Sequence, residues 1–332
     1  MKSSGIGGQA VMEGIMMKNQ KAYAVAVRKP NQEIEVKKET YHSFSDRHPI
    51  CKKPFIRGIF NFVDSLILGM STLMYSSSFF EEDEKETKEP SAWMKKLASV
   101  FGMEGETAEF AEKVTMTVTV CISVILAVGI FMLLPVVLVN WLGRLISSGT
   151  VLAVIEGLIR IGIFIAYVSL ISLMPEINRT YMYHGAEHKC INCIEHGLEL
   201  TVENVAASSK EHKRCGTSFM LLVMIISMFC FMIVRVDTFW LKLVSRVLLI
   251  PVIAGLSYEF LRLAGNSDHP LVNLLSKPGL WLQGLTTKEP DRSMIEVAIC
   301  AIEAVFDWKT YLQENFSDPT QRESGIEKQE RE

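Results

Sequence analysis

The residues with the clearest chemical potential are His184 and His188, which stand four positions apart with Glu187 directly before the second. On a helix this spacing brings both imidazoles to one face, where they can bind one metal ion. Glu187 lies beside them, where it can take a proton from a water molecule that the metal activates. The segment His184-Gly185-Ala186-Glu187-His188 therefore predicts a metal site, although Gly185 weakens the helix that the site needs.

The candidates for a third ligand are three later residues of the chain: His212, Cys215 and Glu259. A catalytic zinc site takes three protein ligands and a water, so one of these residues would complete it. If His212 and Cys215 both bind, four protein ligands close the tetrahedron and the metal is structural. Imidazole and thiolate favour a divalent transition metal, above all zinc. The alternative is that the histidines are ordinary amphipathic groups at a membrane surface.

The composition indicates a membrane protein. Of the 332 residues, 49% are hydrophobic and 21% are charged, which is more apolar than a soluble enzyme of this size. The net charge of −3 gives no sign of nucleic-acid binding. The first forty residues contain no apolar core of a signal peptide. The seven cysteines form no secreted disulfide pattern, and Cys190-x-x-Cys193 is only half of a zinc knuckle or a redox pair.

The apolar pattern predicts an α-helical multi-pass membrane protein with about four spans, a small N-terminal antiparallel β meander and cytoplasmic helices. The predicted segments are a cytoplasmic meander (1–50), an amphipathic interfacial helix (51–80), an acidic linker with a polar helix (81–113), a membrane domain (114–262), a C-terminal cytoplasmic interfacial segment with a helix (263–312) and a disordered tail (313–332). Ser293 and Glu296 resemble a capping box that opens the helix of the fifth segment.

Four apolar stretches approach the ~20 residues that cross a bilayer; they are 114–139, 152–174, 217–236 and 240–262. The loop 175–216 between the second and third carries five basic residues, against one between the first two. This bias places the long loop and both termini in the cytoplasm of a plasma-membrane protein. All the candidate ligands then lie at the cytoplasmic rim of the bundle.

Glu156 and Arg160 stand one helical turn apart inside the second predicted span. Charges inside a membrane are costly, so such residues usually pair or line a polar path. One interpretation is a mutual ion pair that stabilises the helix, and the other is a path for a substrate or an ion. The sequence favours neither.

Several blocks resemble one known family, and the most distinctive is Tyr183-His184-Gly185-Ala186-Glu187-His188-Lys189. The other blocks are residues 7–14, 214–219, 255–259, 281–283 and 285–290. The chain resembles the YqhQ-like family of bacterial membrane proteins, a domain of unknown function whose members are labelled only as predicted metal-dependent enzymes. The resemblance implies a metal without a substrate, and it makes Glu13, Glu259 and Glu289 further candidates. Lys213 and Cys190 depart from the family pattern, which has proline and threonine there.

Three functions agree with these observations. The first is a metal-dependent hydrolase that acts on a peptide or lipid at the cytoplasmic face, with Glu187 as general base. The second is a scaffold or regulator in which a structural metal fastens the loop 175–216 and the soluble parts bind a protein partner. The third is a small transporter with Glu156, Arg160 and Glu259 along its path, and such a chain would need to form a homo-oligomer because four spans are few.

Overall fold

The computed structural model describes residues 2–44, 49–80, 107–212, 215–234, 236, 238–265 and 269–316. Four strands are present: β1 (Ile6–Val11), β2 (Gly14–Asn19), β3 (Ala22–Arg28) and β4 (Ile34–Thr40). The helices are α1 (Ile56–Ser77), α2 (Thr107–Val128), α3 (Leu134–Leu142), α4 (Gly149–Ile171), α5 (Pro175–Glu195), α6 (Val202–Ala207), α7 (Gly216–Ile233), α8 (Phe239–Gly265), α9 (Pro270–Thr286), α10 (Arg292–Val305) and α11 (Trp308–Asn315). The chain divides into two compact units, residues 81–164 and the remainder.

The N-terminal strands form an antiparallel meander in the order β1-β2-β3-β4, which confirms the predicted meander. Neighbouring residues alternate between the two faces of the sheet. Ile15 and Met17 pack against α5 and α10 on one face, whereas Met16 and Val25 pack beside Leu68 of α1 on the other. Because β2 and β3 are covered on both faces, the sheet is fixed firmly between these helices.

Helix α1 turns a polar side inward and an apolar side outward. Asp64, Thr72 and Ser76 are buried against the sheet, where Ser76 Oγ accepts a hydrogen bond of 3.1 Å from the Met12 backbone N–H. On the opposite side Leu66 and Ile67 are 56% and 57% exposed. Strand β1 and the turn after it therefore contact the later half of α1, residues Tyr258 and Glu259 of the helix Phe239–Gly265 contact its first turns, and the outer side presents an apolar surface.

Within the part of the chain that the structure describes, four helices are long and apolar enough to cross a membrane: Ile56–Ser77, Thr117–Leu142, Gly149–Ile171 and Trp240–Ala264. Three of them correspond to predicted spans, and the number agrees with the prediction. The set differs, because the predicted span 217–236 contains only the shorter apolar helix Met220–Ile233 within the described residues. The fourth helix of the set is α1, whose amphipathic pattern predicts a helix at the membrane interface. Residues 81–106 of the predicted linker and 317–332 of the predicted tail lie outside the described residues.

The predicted loop 175–216 is mostly helical. Pro175 occupies the first turn of α5, where its missing N–H costs nothing. The second half of α5, from Tyr183 to Glu195, is buried almost throughout, so tertiary packing holds a helix that contains Gly185. The helix predicted after residue 293 also differs at its start: Asp291 caps α10 by accepting from the Met294 backbone N–H at 2.9 Å.

In the unit of residues 81–164, α2 and α3 are joined by a π-helical turn, Gly129–Leu133. A π turn leaves backbone carbonyls outside the regular ladder, and Arg160 Nε donates to one of them, the Phe131 oxygen, at 3.2 Å. Arg160 also forms an ion pair of 3.1 Å with Glu156. The mutual pair is therefore present, and the arginine also satisfies the bulged backbone of its neighbouring helix.

Candidate metal centre

His184 and His188 extend from the same face of α5, and their ring centroids are 4.4 Å apart. Cys215 joins them from the residue before α7, where it caps that helix: its Sγ accepts a hydrogen bond of 3.4 Å from the Thr217 backbone N–H. His184 Nε2 lies 3.2 Å from Cys215 Sγ. One ligand atom from each of the three residues lies within 4.8 Å of the others.

Backbone carbonyl groups orient both imidazoles. His184 Nδ1 lies 2.9 Å from the Thr286 carbonyl oxygen, and His188 Nδ1 lies 2.6 Å from the Lys210 carbonyl oxygen. Because a carbonyl oxygen only accepts, each Nδ1 carries a proton, and in a neutral ring the lone pair then lies on Nε2. Metal-binding histidines are commonly fixed in this way by a second group behind the ring.

The three side chains fit a zinc ion. Zinc–nitrogen and zinc–sulfur bonds of about 2.0 and 2.3 Å place two tetrahedral ligands about 3.5 Å apart. The Nε2–Sγ separation of 3.2 Å between His184 and Cys215 is close to that spacing. Burial lowers the pKa of His188, so this imidazole stays neutral, as a ligand must be. Two histidines and one cysteine leave one position of a tetrahedron open, which is the pattern of catalytic rather than structural zinc.

Glu187 is buried in the same cavity. Burial raises the pKa of its carboxyl group, although the Gly8 backbone N–H donates a hydrogen bond to it. Its Oε2 has no hydrogen-bond partner within the described residues, and such an orphaned buried atom is uncommon. A β-carbon at position 8 would lie 2.9 Å from the Glu187 carboxyl carbon, so only glycine allows strand β1 to approach this closely.

The cavity has a volume of ≈ 110 Å³, enough for a few water molecules. Its walls come from β1, α5, the segment before α7 and the start of α7. They are Ile6, Gly7, Gly8, His184, Glu187, His188, Ile191, His212, Cys215 and Gly216. The structure thus places five of the six predicted site residues around one small space, and the sixth, Glu259, is not among its lining residues.

His212 lines this cavity but does not join the group of three ligand atoms. Its Nε2 lies 3.5 Å from Glu195 Oε2, and its ring centroid is 5.8 Å from that of His188. The side-chain amide of Gln283 holds its backbone at both ends, accepting from its N–H at 2.9 Å and donating to its oxygen at 2.7 Å. His212 is therefore a supporting residue, and Cys215 is the better third ligand.

Glu259 lies outside the ligand group. Its carboxylate forms an ion pair with Arg57, so it joins α8 to the start of α1. The other two glutamates of the family blocks are also held by cations. Arg179 binds Glu13, and Lys189 and Lys210 lie 3.1 and 3.3 Å from Glu289. All three glutamates have structural partners.

Cys190 and Cys193 face the core of the protein. Burial raises the pKa of the Cys190 thiol well above its usual value and that of Cys193 to about 12. Metals and disulfide exchange require the thiolate form. Neither residue joins the group of candidate ligands, and both serve as small apolar side chains in the packing of α5.

The close approach of another segment to α5 requires a glycine at position 185. A β-carbon there would lie 2.0 Å from the Lys288 carbonyl oxygen. The segment after α9 passes this close to α5, and the Lys288 N–H donates to the Tyr181 carbonyl oxygen at 2.9 Å. The glycine that weakens the isolated helix thus allows α9 to bring the Thr286 carbonyl to His184.

Comparison with known proteins identifies the family of this chain but assigns no activity to it. Residues 53–308 match the model of a family described as "Protein of unknown function (DUF1385)". The chain belongs to this family. It is also 36% identical over 294 residues to the "Uncharacterized protein YqhQ" of Bacillus subtilis (strain 168), covering 88% of this chain and 89% of the relative. The resemblance to the YqhQ-like family is thereby confirmed. No solved structure matches the chain.

Proposed function

We propose that this member of the family is a metal-dependent membrane hydrolase. His184, His188 and Cys215 hold one divalent transition metal, zinc by the chemistry of the ligands, and Glu187 is the general base. The observation that carries the proposal is the meeting of three oriented ligands and one buried carboxylate in a single water-sized cavity.

Each residue of the centre has a separate role in the proposed reaction. The metal, when bound, supplies Lewis acidity to the scissile carbonyl or phosphoryl group and to a water molecule. Both histidines present Nε2 because their Nδ1–H groups are held by carbonyl oxygens. Glu187 receives the proton of the attacking water at Oε2, which has no hydrogen-bond partner among the described residues. Gly8 steadies the carboxylate through its backbone N–H.

The proposed location is the plasma membrane, with the metal centre and both termini on the cytoplasmic side. The support is the excess of basic residues between the second and third predicted spans. Lys189 and Lys210 belong to this excess and lie beside the centre, whereas Lys213 and Arg214 lie outside the described residues.

Helix α1 lies in the plane of the membrane in this proposal, although its length and composition also suit a crossing. Gln9 of β1 and Met12 of the turn after it form hydrogen bonds with Gly69 and Ser76 of α1. Tyr41, which directly follows β4, donates a hydrogen bond to Asp64. A sheet whose strand β4 is largely exposed and charged does not enter hydrocarbon. With a polar side against protein and an apolar side outward, α1 suits the membrane surface.

Two substitutions test the hydrolase against its alternative, a scaffold with a structural metal. We expect metal-loaded protein to hydrolyse p-nitrophenyl acetate or bis-p-nitrophenyl phosphate, and Glu187→Gln to lose at least about 100-fold in rate because proton transfer is worth 10²–10⁴. Metal content, measured by mass spectrometry, should remain at the wild-type level in this variant. His188→Ala should lose both the metal and the rate.

The scaffold is favoured instead if metal-loaded protein hydrolyses neither probe, or if Glu187→Gln and the wild type act at the same rate. In that case the buried, backbone-held ligands fasten α5 to the start of α7, and His188→Ala should mainly destabilise the fold.

A further inference from the structure

Strand β1 forms one edge of the sheet and lies directly beside the metal centre. The strand order β1-β2-β3-β4 leaves its outer edge without a paired strand within the described residues. Gly7 is exposed and residues 8–10 are half-buried, so this edge can be reached from outside. Ile6, Gly7 and Gly8 also line the metal cavity. The same strand thus borders both the candidate centre and an unpaired sheet edge.

The register of the first hairpin determines which backbone groups of β1 face outward. Val11 and Gly14 are paired on either side of a two-residue turn, and such a closing pair exchanges hydrogen bonds across the ladder. Hydrogen-bonded and non-hydrogen-bonded pairs alternate along an antiparallel ladder. The N–H and carbonyl groups of Ile6, Gly8 and Ala10 therefore point away from β2.

Two hydrogen bonds independently support this direction. The Ile6 N–H donates to Ser4 Oγ at 3.3 Å, and the Gly8 N–H donates to the Glu187 carboxylate. The outward N–H of Ala10 and the outward carbonyl groups of Gly8 and Ala10 have no hydrogen-bond partner within the described residues. Edge donors and acceptors of this kind are a template for another strand.

The two edges of the sheet differ in charge. Strand β4, at the other edge, carries Glu35, Lys37, Lys38 and Glu39, and charges on an edge strand keep other strands away. Strand β1 has no charged residue, and two of its six residues are glycines. Glycine in a strand often marks a place where another backbone approaches closely. The β1 edge is therefore suited to strand addition, whereas the β4 edge is protected from it.

We propose that an extended polypeptide segment pairs with the β1 edge and that this pairing presents one of its peptide bonds to the metal centre. In the antiparallel direction, which is slightly the more stable per residue, the residue opposite Ala10 exchanges two hydrogen bonds with it. The residue opposite Gly8 donates to the Gly8 carbonyl, but its own carbonyl finds the Gly8 N–H held by Glu187. That carbonyl stays unpaired beside Glu187 and belongs to the bond that is cleaved.

The cleavage step rests on the proposed function. Glu187 takes a proton from water, the hydroxyl adds to the carbonyl carbon, the C–N bond breaks, and the proton passes to the leaving nitrogen. The products are a new carboxyl terminus and a new amino terminus. Pairing with β1 precedes this chemistry, so it can be measured on a chain that binds the polypeptide without cutting it.

The test measures binding by the fluorescence anisotropy of fluorescein-labelled casein, an unfolded polypeptide, with the zinc-loaded, detergent-purified Glu187→Gln chain. On this background Ala10→Pro should weaken casein binding at least about fivefold, because it removes the outward N–H. Val36→Pro is the matched control and should bind casein as the parent does, since by the same alternation its N–H faces outward at the other edge. Proline is tolerated at such edge positions, and circular dichroism and zinc content verify the fold of both variants.

N-methylated peptides test the pairing from the side of the ligand. The probe is a casein fragment of about ten residues that the Glu187→Gln chain retains, identified by mass spectrometry. Single N-methyl groups should weaken its binding at least about fivefold at every second residue and less than about twofold at the residues between, because only alternate N–H groups of a strand face its neighbour. The zinc-loaded wild type should cut casein, and Glu187→Gln should not.

Equal casein binding by the two proline variants, or N-methyl effects without a period of two, would overturn the pairing. A dimeric chain that Ala10→Pro converts to a monomer in light scattering would assign the edge to a second copy and overturn it as well. A chain that hydrolyses the nitrophenyl esters but neither binds nor cuts casein refutes the polypeptide substrate alone. A chain that binds casein through β1 but cuts neither casein nor the esters refutes the hydrolase alone.

Discussion

Gly8 determines the position of the candidate base as directly as the ligands determine the position of the metal. A β-carbon at this residue would meet both the Glu187 carboxyl group and the Met16 carbonyl oxygen at 2.9 Å. We therefore expect Gly8→Ala to displace Glu187 or β2 and to lower the free energy of unfolding by about 1–3 kcal/mol, the usual cost of overpacking. Thermal unfolding in detergent measures this change.

Gly7→Ala is the control for that substitution, because nothing lies within 4 Å of a β-carbon at position 7. It alters the same strand and removes the same backbone freedom. If Gly8→Ala were as stable as Gly7→Ala, strand β1 would not approach Glu187 as closely as the structure shows.

The side chains of the candidate metal centre could be predicted from the sequence, whereas the backbone groups that orient them could not. The spacing of His184 and His188, with Glu187 between them, already indicated a shared face of a helix. The carbonyl groups of Thr286 and Lys210 that orient the two rings carry no signature in their side chains. Gln283 is likewise 71 positions away from His212, so only the folded chain brings them together. The glycine-rich start of β1 is the one signal of the close approach to Glu187 that the sequence contains.

At the scale of elements, the four helices that are long and apolar enough to cross a membrane were predicted less well than the sheet. The meander follows from alternation within short strands, which is a local property. Helix α1 illustrates the difficulty, because its mean composition suits a membrane span while its buried side is polar. Whether such a helix crosses or lies flat depends on what packs against it, and the sheet along α1 is a tertiary feature.

We expect spin labels along the outer side of α1 to report one shallow depth in lipid bilayers. Labels on cysteines introduced at Val63, Met70 and Met74 should differ in depth by less than about 5 Å, because the proposal places the helix in the membrane plane. A crossing helix would separate the first and last by about 16 Å at 1.5 Å per residue. Power saturation of the electron paramagnetic resonance signal measures these depths.

Labels at Val244 and Val252 of α8 provide the comparison, because both residues are exposed on a helix long enough to cross. Their depths should differ by about 12 Å. A gradient of the same steepness along α1 would show that α1 spans the membrane and would contradict the proposed in-plane position.

For the unit that contains the centre, the most distant pieces of sequence meet around α5. Glu13 reaches Arg179 from the first hairpin, and Glu289 reaches Lys189 from the segment after α9. These ion pairs hold β1 and the Thr286 carbonyl against the helix that carries the histidines. The family blocks 7–14, 183–189 and 285–290 thus meet at α5, the helix that carries two of the candidate ligands.

The most direct test of the whole account is the metal content of the purified chain. Elemental mass spectrometry should find one transition-metal ion per wild-type chain, with zinc the expected ion, and none in His184→Ala/His188→Ala. His42→Ala, a change at an exposed histidine, should keep the full content. A wild-type chain without metal even after incubation with zinc, or a double variant with unchanged content, would contradict the metal centre on which the account depends.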